Sequence, residues 1–198
     1  TDSLLGWWTF DDDNGATATD KIAGAADPIE GSFKRVDGVI GKALKFDGYT
    51  TAVVRPAAAA PRLTGEFAIE AWVALGAYPW NFCPVAAQGE DGRTGYEFAI
   101  GPRGEVRLGV LAGGQWAQCC SGNFAVELRK WTHVACTCGP DGVLAVYVDG
   151  KLAASTAPAG QPQPACDADL WIGSISHATR PSNHRGEAGT RPSWFCLD

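Results

Sequence analysis

Short segments that alternate apolar and polar residues run through the whole chain. In Phe67–Val73 every second residue is apolar, whereas Glu70 and Trp72 point to the other side. A period of two residues is that of a β-strand that is buried on one face. No segment keeps the helical period of 3.6 residues over three turns. The chain is therefore predicted to be all-β.

Turn residues lie between consecutive alternating segments. Gly101–Gly104 separates two of them, Gly139–Gly142 separates two more, and Asp149-Gly150 separates a further pair. Glycine and aspartate tolerate the positive φ that tight hairpin turns require. Many short strands joined in this way predict an antiparallel β-sandwich or jelly roll. The 198 residues contain no linker-like stretch, so we expect a single domain over residues 1–198.

The seven cysteines do not have the spacing of a metal site, because no C-x-x-C pair occurs. Seven in 198 residues is a density typical of disulfide-bonded proteins outside the cytosol. We therefore predict disulfide bonds and a secreted or extracytoplasmic location, in a periplasm or at a cell surface. The odd number leaves at least one thiol unpaired. The adjacent Cys119 and Cys120 should face opposite sides of their strand.

The charge distribution bears on possible partners. There are 16 Lys and Arg against 22 Asp and Glu, a formal net charge of −6, and the basic residues are scattered. Nucleic acid is therefore not an expected partner. No apolar run reaches the ~18–20 residues of a membrane-spanning helix, so no membrane span is expected.

Several short motifs follow one another in a defined order. They are Leu5–Asp12 (LGWWTFDD), Gly41–Gly48 (GKALKFDG), Phe67–Val73 (FAIEAWV), Trp131–Ala135 (WTHVA) followed by Val146–Lys151 (VYVDGK), and Leu170–Ser174 (LWIGS). In order and spacing they resemble the laminin G-like, or concanavalin A-like lectin/glucanase, domains. The resemblance covers nearly the whole chain and implies a jelly roll that acts as a binding module.

The end of the chain differs from this family. Its members usually close with a strand that pairs near the first strand. Here the chain stops at Asp198, so either the segment from Trp194 to Asp198 begins that strand or the strand lies beyond Asp198. We therefore expect the domain to be a fragment or module of a larger protein.

The resemblance also implies a bound metal ion. Many jelly rolls of this family hold one structural calcium near the first and last strands. Asp11, Asp47, Gly48 and Asp198 occupy positions similar to those ligands, and oxygen ligands suit calcium. The alternative is that these residues belong to solvated turns.

The candidate ligand-binding residues lie opposite the core rows of their strands or in loops. They are Glu70, Trp72, Trp80, Glu97, Arg107 and Trp116. We expect the strands that carry Glu70, Glu97 and Arg107 to share one concave sheet, with Trp80 and Trp116 as walls of a groove. Carboxylate acceptors, a forked guanidinium donor and aromatic faces together suit a sugar. Alternatively, a neighbouring domain covers this face.

No catalytic residue is predicted. Glu66 and Glu70 share a face but lie ~13 Å apart along a strand, too far for the paired carboxylates of a glycosidase. The E-x-D-x-x-E strand of laminarinase-type relatives does not occur, nor does a nucleophile elbow or phosphate loop. Glu70 and Glu97 could still approach each other across a sheet. The lone strand histidine His133 is expected to be structural.

These observations predict a non-catalytic accessory module that binds a glycan or another protein domain. The module would belong to a secreted or cell-surface protein, which could be a carbohydrate-active enzyme. The first alternative is a glycan hydrolase or lyase with a groove on the concave sheet. The second is a structural spacer packed against a neighbouring catalytic domain. The fold alone does not decide between them.

Overall fold

The computed structural model describes residues 4–12, 15–48, 50–79, 81–90 and 92–174, and the backbone of residues 194–197. All regular elements in this part of the chain are strands, as the alternation predicted. They are β1 (Thr17–Thr19), β2 (Ala26–Glu30), β3 (Lys34–Asp37), β4 (Lys42–Lys45), β5 (Ala52–Arg55), β6 (Phe67–Ala77), β7 (Cys83–Gln88), β8 (Tyr96–Ile100), β9 (Val106–Ala112), β10 (Gln115–Cys120), β11 (Thr132–Cys138), β12 (Leu144–Val148), β13 (Lys151–Thr156), β14 (Leu170–Ile172) and β15 (Trp194–Leu197). No helix in the described residues is long and apolar enough to cross a membrane.

The described strands form two antiparallel sheets that enclose one core. The eight-stranded sheet has the order β1-β2-β5-β14-β7-β8-β9-β10, and the seven-stranded sheet has the order β13-β12-β11-β6-β15-β4-β3. The predicted jelly-roll-type sandwich is therefore confirmed. The chain passes repeatedly from one sheet to the other, so strands that are neighbours in sequence often lie in different sheets.

Apolar side chains from both sheets fill the space between them. The largest ones that are fully buried include Phe98, Ile100 and Leu108 from the eight-stranded sheet and Leu75 and Leu144 from the seven-stranded sheet. The predicted inward row of β6 also packs against this core. Burial of each large side chain contributes roughly 1.5–3 kcal/mol.

The meander of β11, β12 and β13 follows the turn chemistry. β11 pairs with β12, and β12 pairs with β13. Asp149 and Gly150 form the second turn with φ angles of 48° and 73°, which is the left-handed geometry expected of a tight hairpin turn. Asp149 Oδ1 also accepts a hydrogen bond from the His133 backbone N–H at 3.0 Å, which fastens this turn to β11.

The end of the chain resolves the two alternatives for the closing strand. β15 pairs with β6 on one side and with β4 on the other. The segment from Trp194 therefore forms a strand within the seven-stranded sheet.

A buried ion-pair network fastens the N-terminal segment to the eight-stranded sheet. Arg55 donates to Asp27 through Nε and Nη2 and to Asp20 through Nη1, at 2.6 to 2.9 Å. Trp8 Nε1 donates to Asp27, and the Arg55 guanidinium lies 5.0 Å from the Trp8 ring centroid. Burial alone would raise the pKa of Asp20, but hydrogen bonds from the Trp7 and Ile22 N–H groups and from Arg55 outweigh it and lower that pKa.

Among the cysteines in the described ranges, Cys119, Cys120, Cys136, Cys138 and Cys166 are free thiols. The predicted disulfide bonds are therefore not confirmed and stay a prediction. Cys119 is buried and Cys120 is exposed, so these neighbours do face opposite sides of β10. Complete burial raises the pKa of the Cys136 thiol.

We expect alkylation of the native protein to label Cys120 before Cys119 and Cys136, because Cys120 is exposed and the other two thiols are closed to solvent. Burial raises the pKa of all three thiols, so the difference in exposure sets the order. Peptide mass mapping over time measures the order. Labelling of Cys136 at the rate of Cys120 would contradict the expectation. Unfolding without reductant and counting the labels tests the disulfide prediction separately, since seven labels exclude any bridge.

Tryptophan burial differs from the sequence-based expectation that most strand tryptophans are core residues. Trp7 is 54% exposed, and Trp8, Trp72, Trp131 and Trp171 are only partly buried. Trp72 and Trp171 occupy outward positions of their strands, where the period of two residues places them away from the core.

Candidate functional site

The predicted ligand-binding residues do not share one sheet. Glu70 and Trp72 lie on β6 in the seven-stranded sheet, whereas Glu97 and Arg107 lie on β8 and β9 in the eight-stranded sheet. The expectation of one concave sheet for all of them is therefore wrong. The chain crosses to the other sheet between β6 and β7, which local alternation does not reveal.

The outward face of the eight-stranded sheet carries one row of directly paired residues. The row runs through Val54, Trp171, Ala87, Glu97, Gly109 and Gln118, one from each of six neighbouring strands. Residues paired in this way point to the same side of a sheet. The residues paired with Glu97 on its two sides, Ala87 and Gly109, are small, and the Trp116 indole lies over Gly109.

Arg107 forms an ion pair with Glu97 on this face. Its Nη2 donates to Glu97 Oε1, and both residues are buried, with Glu97 fully closed to solvent. Phe82 covers the pair, because the Arg107 guanidinium carbon lies 3.7 Å from its ring centroid. A buried carboxylate with a guanidinium partner and an aromatic lid is a desolvated ion pair with fixed geometry.

Trp116 lies directly over Gly109. A Cβ atom at Gly109 would lie 2.7 to 2.8 Å from the Trp116 indole, including Nε1. No side chain larger than that of glycine would therefore allow this packing. Trp116 lies on β10, the outer strand of the described sheet.

Three buried N–H donors on this face have no acceptor among the described residues. They are the indole Nε1 atoms of Trp116 and Trp171 and the Nε of Arg107. A buried donor without a partner costs roughly 1–3 kcal/mol. Native proteins leave few such donors, so each is expected to find its acceptor in water, in a residue outside the described ranges or in a bound ligand.

We call this arrangement the tryptophan trough, and define it by Trp171, Ala87, Glu97, Arg107, Gly109 and Trp116. Trp171 and Gly109 are three strand spacings apart, about 14 Å. The sequence-based reasoning named three of these residues but treated Trp171 as core. The alternation of Leu170–Ile172 was the available signal, because it places Trp171 opposite its two apolar neighbours.

Glu70 and Trp72 form a separate cluster with His133 on the outward face of the seven-stranded sheet. Trp72 pairs directly with His133, and their rings meet edge to face at a centroid distance of 5.3 Å. Glu70 Oε2 lies 3.4 Å from His133 Nε2. The Glu70 side chain is 74% exposed, so this interaction is weak.

The residues suggested for calcium do not come together. Asp11 Oδ1 accepts the Lys42 N–H at the start of β4, whereas Asp47 and Gly48 follow the end of that strand. Lys42, the contact of Asp11, and Asp47 are five residues apart along an extended segment, ~16 Å, so the two aspartates lie near opposite ends of β4. Asp47 accepts hydrogen bonds from the Thr50 and Thr51 N–H groups and closes a turn. No group of three or more His, Cys, Asp or Glu residues in the described ranges could hold a metal ion.

Calcium binding therefore stays a prediction for one end of β4 or the other. An ion that binds only the native state would raise the melting temperature, measured with added calcium and then with chelator. Trp80 and Asp198 lie outside the described residues, as does the segment from His177 to Ser193.

Solved structures share the fold. The binding domain of Paraclostridial Mosquitocidal Protein 1 is similar with a TM-score of 0.71 and 9% identity, over 100% of this chain and 48% of that one. The receptor binding domain of botulinum neurotoxin type G is similar with a TM-score of 0.63 and 12% identity, over 93% of this chain and 44% of that one. The sialidase of Trypanosoma rangeli is similar with a TM-score of 0.61 and 20% identity, over 100% of this chain and 30% of that one.

This chain spans less than half the length of each of those three proteins, and at these identities the likeness concerns the fold alone. No curated protein matches the sequence. The family model for the concanavalin A-like lectin/glucanases superfamily matches residues 47–184, which is more than half of the chain. The chain therefore belongs to the concanavalin A-like lectin/glucanases superfamily.

Proposed function

We propose that this domain is a non-catalytic module that binds a glycan in the tryptophan trough. The observation that carries the proposal is the set of three buried N–H donors that have no acceptor among the described residues, on the same sheet face as the ion-paired Glu97 carboxylate. Sugars are rich in acceptor oxygens, and they stack on indole rings through their apolar faces. A bound sugar would thus supply the acceptors that these donors lack.

The separation of the carboxylates supports a role in binding rather than hydrolysis. Glycosidases use two carboxylates on either side of the scissile bond. Glu70 and Glu97 lie on different sheets, with the Glu70 side chain exposed on the outward face of one and Glu97 buried on the outward face of the other. They cannot act on the same bond. Glu97 is moreover paired with Arg107, which holds it as a structural anion.

The family and the similar structures are compatible with this proposal. Two of those structures are a binding domain and a receptor binding domain, and the third is a sialidase. All three chains are at least twice as long as this one, which supports a module that works beside other domains. We further propose that this module belongs to a secreted or cell-surface protein. The partner of the module would be a glycan or a neighbouring domain.

The first experiment is a glycan array, followed by titration of the best ligand. We expect Trp171→Ala and Trp116→Ala each to weaken binding about tenfold or more, because loss of an aromatic contact and its hydrogen bond costs more than ~1.4 kcal/mol. Trp72→Ala is the matched control, since Trp72 is partly buried on the opposite outward face. We expect it to leave affinity unchanged.

Two results would contradict the proposal. If Trp72→Ala abolishes binding while both trough variants bind normally, the site lies on the seven-stranded sheet. If no glycan binds and a neighbouring domain instead buries the trough, the domain is the structural spacer considered above. Circular dichroism of each variant confirms that it is folded before its affinity is interpreted.

A further inference from the structure

We infer that the ligand of the tryptophan trough presents a neutral carbonyl oxygen to the buried donors, as the acetamido group of an N-acetylated hexosamine does. This inference rests on the proposed function and specifies the chemical class of the sugar. It follows from the imbalance between donors and acceptors in the trough and from the charge around it.

The trough offers donors and few acceptors. Trp116 Nε1, Trp171 Nε1 and Arg107 Nε are buried without partners among the described residues, while the Glu97 carboxylate already accepts from Arg107. An indole nitrogen can only donate, and so can a guanidinium. The group that satisfies them must therefore be an acceptor. A carbonyl oxygen has two lone pairs and no hydrogen of its own, so it meets the requirement of each of these donors.

Charge favours an amide carbonyl over a carboxylate. The one cation in the trough, Arg107, is already paired with Glu97, and both side chains are at least nine-tenths buried. A second carboxylate would enter a desolvated site without a counter-ion, which is strongly unfavourable. The chain also carries a formal net charge of −6, which disfavours the approach of a polyanion. The two indole donors are neutral, and they suit a neutral acceptor.

The geometry also favours an acetamido group over a hydroxyl. A hydroxyl oxygen carries a hydrogen of its own beside its acceptor lone pairs. The unpartnered groups described in the trough are donors, so that hydrogen would find no acceptor among them. In a trans amide the N–H and the C=O point in opposite directions, so the oxygen can face the trough while the N–H faces solvent. The acetamido methyl group can then pack on the indole rings that border the trough.

Access to the donors requires a local opening. The three N–H atoms are closed to solvent, and Phe82 lies 3.7 Å from the Arg107 guanidinium carbon. A ligand reaches these donors only when the side chains that cover them shift, Phe82 over Arg107 among them. Binding is therefore expected to include a change in the environment of the two tryptophans, which their fluorescence reports.

The experiment compares oligosaccharides of equal length and linkage by titration calorimetry. The probes are an N-acetylglucosamine oligomer, the corresponding glucose oligomer and a galacturonate oligomer of similar length. We expect the N-acetylated oligomer to bind at least tenfold more tightly than the glucose oligomer, and the galacturonate oligomer to bind more weakly than either. Equal affinity for the acetylated oligomer and the glucose oligomer would overturn the inference but leave the proposed function intact.

Phenylalanine substitutions isolate the hydrogen bonds. Trp171→Phe and Trp116→Phe keep an aromatic face and remove a donor that has no partner among the described residues, so both variants should fold. We expect each to lower affinity for the N-acetylated oligomer about tenfold and to leave affinity for the glucose oligomer within a factor of two. Trp72→Phe on the other sheet is the control.

The outcomes separate the two proposals. Unchanged binding of the N-acetylated oligomer by both trough variants overturns the acetamido inference. Tighter binding of the galacturonate oligomer also overturns it, and would make an anionic sugar the ligand. If none of the three oligomers binds and a wider glycan array is also negative, the proposed function fails, and the inference fails with it.

Discussion

Replacing Arg55 with methionine is expected to lower the free energy of unfolding by roughly 3–5 kcal/mol, because the change leaves buried carboxylates without their counter-ion. Arg55 is 2% exposed, and its partners Asp20 and Asp27 are 0% and 4% exposed. Methionine keeps an unbranched apolar stem, so the loss of packing is small. The expected loss therefore comes from the two uncompensated negative charges and from the hydrogen bonds they no longer accept.

The matched control is Arg62→Met. Arg62 forms an ion pair with Asp167 at 2.7 Å, but the two side chains are 61% and 86% exposed. Water and salt screen such a pair, so its loss should cost less than about 1 kcal/mol. Urea unfolding at neutral pH, followed by tryptophan fluorescence, measures both variants. If Arg55→Met is as stable as Arg62→Met, the buried network does not anchor the N-terminal segment.

The fold could be predicted because its signals are local. The alternation in Phe67–Val73 and the Asp149-Gly150 turn each specify a strand or a hairpin from a few adjacent residues. The structure keeps these elements, and β6 only extends further, to Ala77. The family motifs then supplied the order of the strands along the chain.

The sites could not be predicted in the same way, because they depend on pairing between distant segments. Arg55 lies 28 residues from Asp27 and 35 residues from Asp20 along the chain. A charged residue within the buried run Ala52–Arg55 was a signal that a partner must exist, but it did not identify the partner. The grouping of Glu70 with Glu97 failed for the same reason, since no local pattern shows which sheet a strand joins.

Trp171 illustrates how sheet membership changes the meaning of a residue. β14 is inserted between β5 and β7, which precede it by more than 80 residues. Only this insertion places Trp171 in one row with Glu97 and Gly109. The sequence of Leu170–Ile172 places Trp171 opposite its two apolar neighbours, but it does not reveal which strands lie beside Trp171 on that face.

The second large effect is expected at Gly173, the residue that follows β14. Gly173 has a φ of +81°, and a Cβ atom there would overlap the ring of Phe46, which is 2% exposed. Gly173→Ala therefore combines backbone strain of roughly 1–2 kcal/mol with overpacking of roughly 1–3 kcal/mol. We expect a total loss of about 2–5 kcal/mol in the free energy of unfolding. Because Gly173 N–H donates to Val85 O at 3.2 Å, the strain falls on the junction of β14 with β7.

Gly114→Ala separates the two contributions. Gly114 has nearly the same φ, +80°, but no atom lies within 4 Å of a Cβ placed there. This variant should therefore show the backbone strain alone, and the difference between the two variants measures the clash with Phe46. Chemical denaturation of both variants gives the difference directly. Equal losses in the free energy of unfolding would mean that Phe46 moves aside without cost. The packing beneath β14, which holds Trp171 in place, would then be looser than the close contact of Gly173 with Phe46 implies.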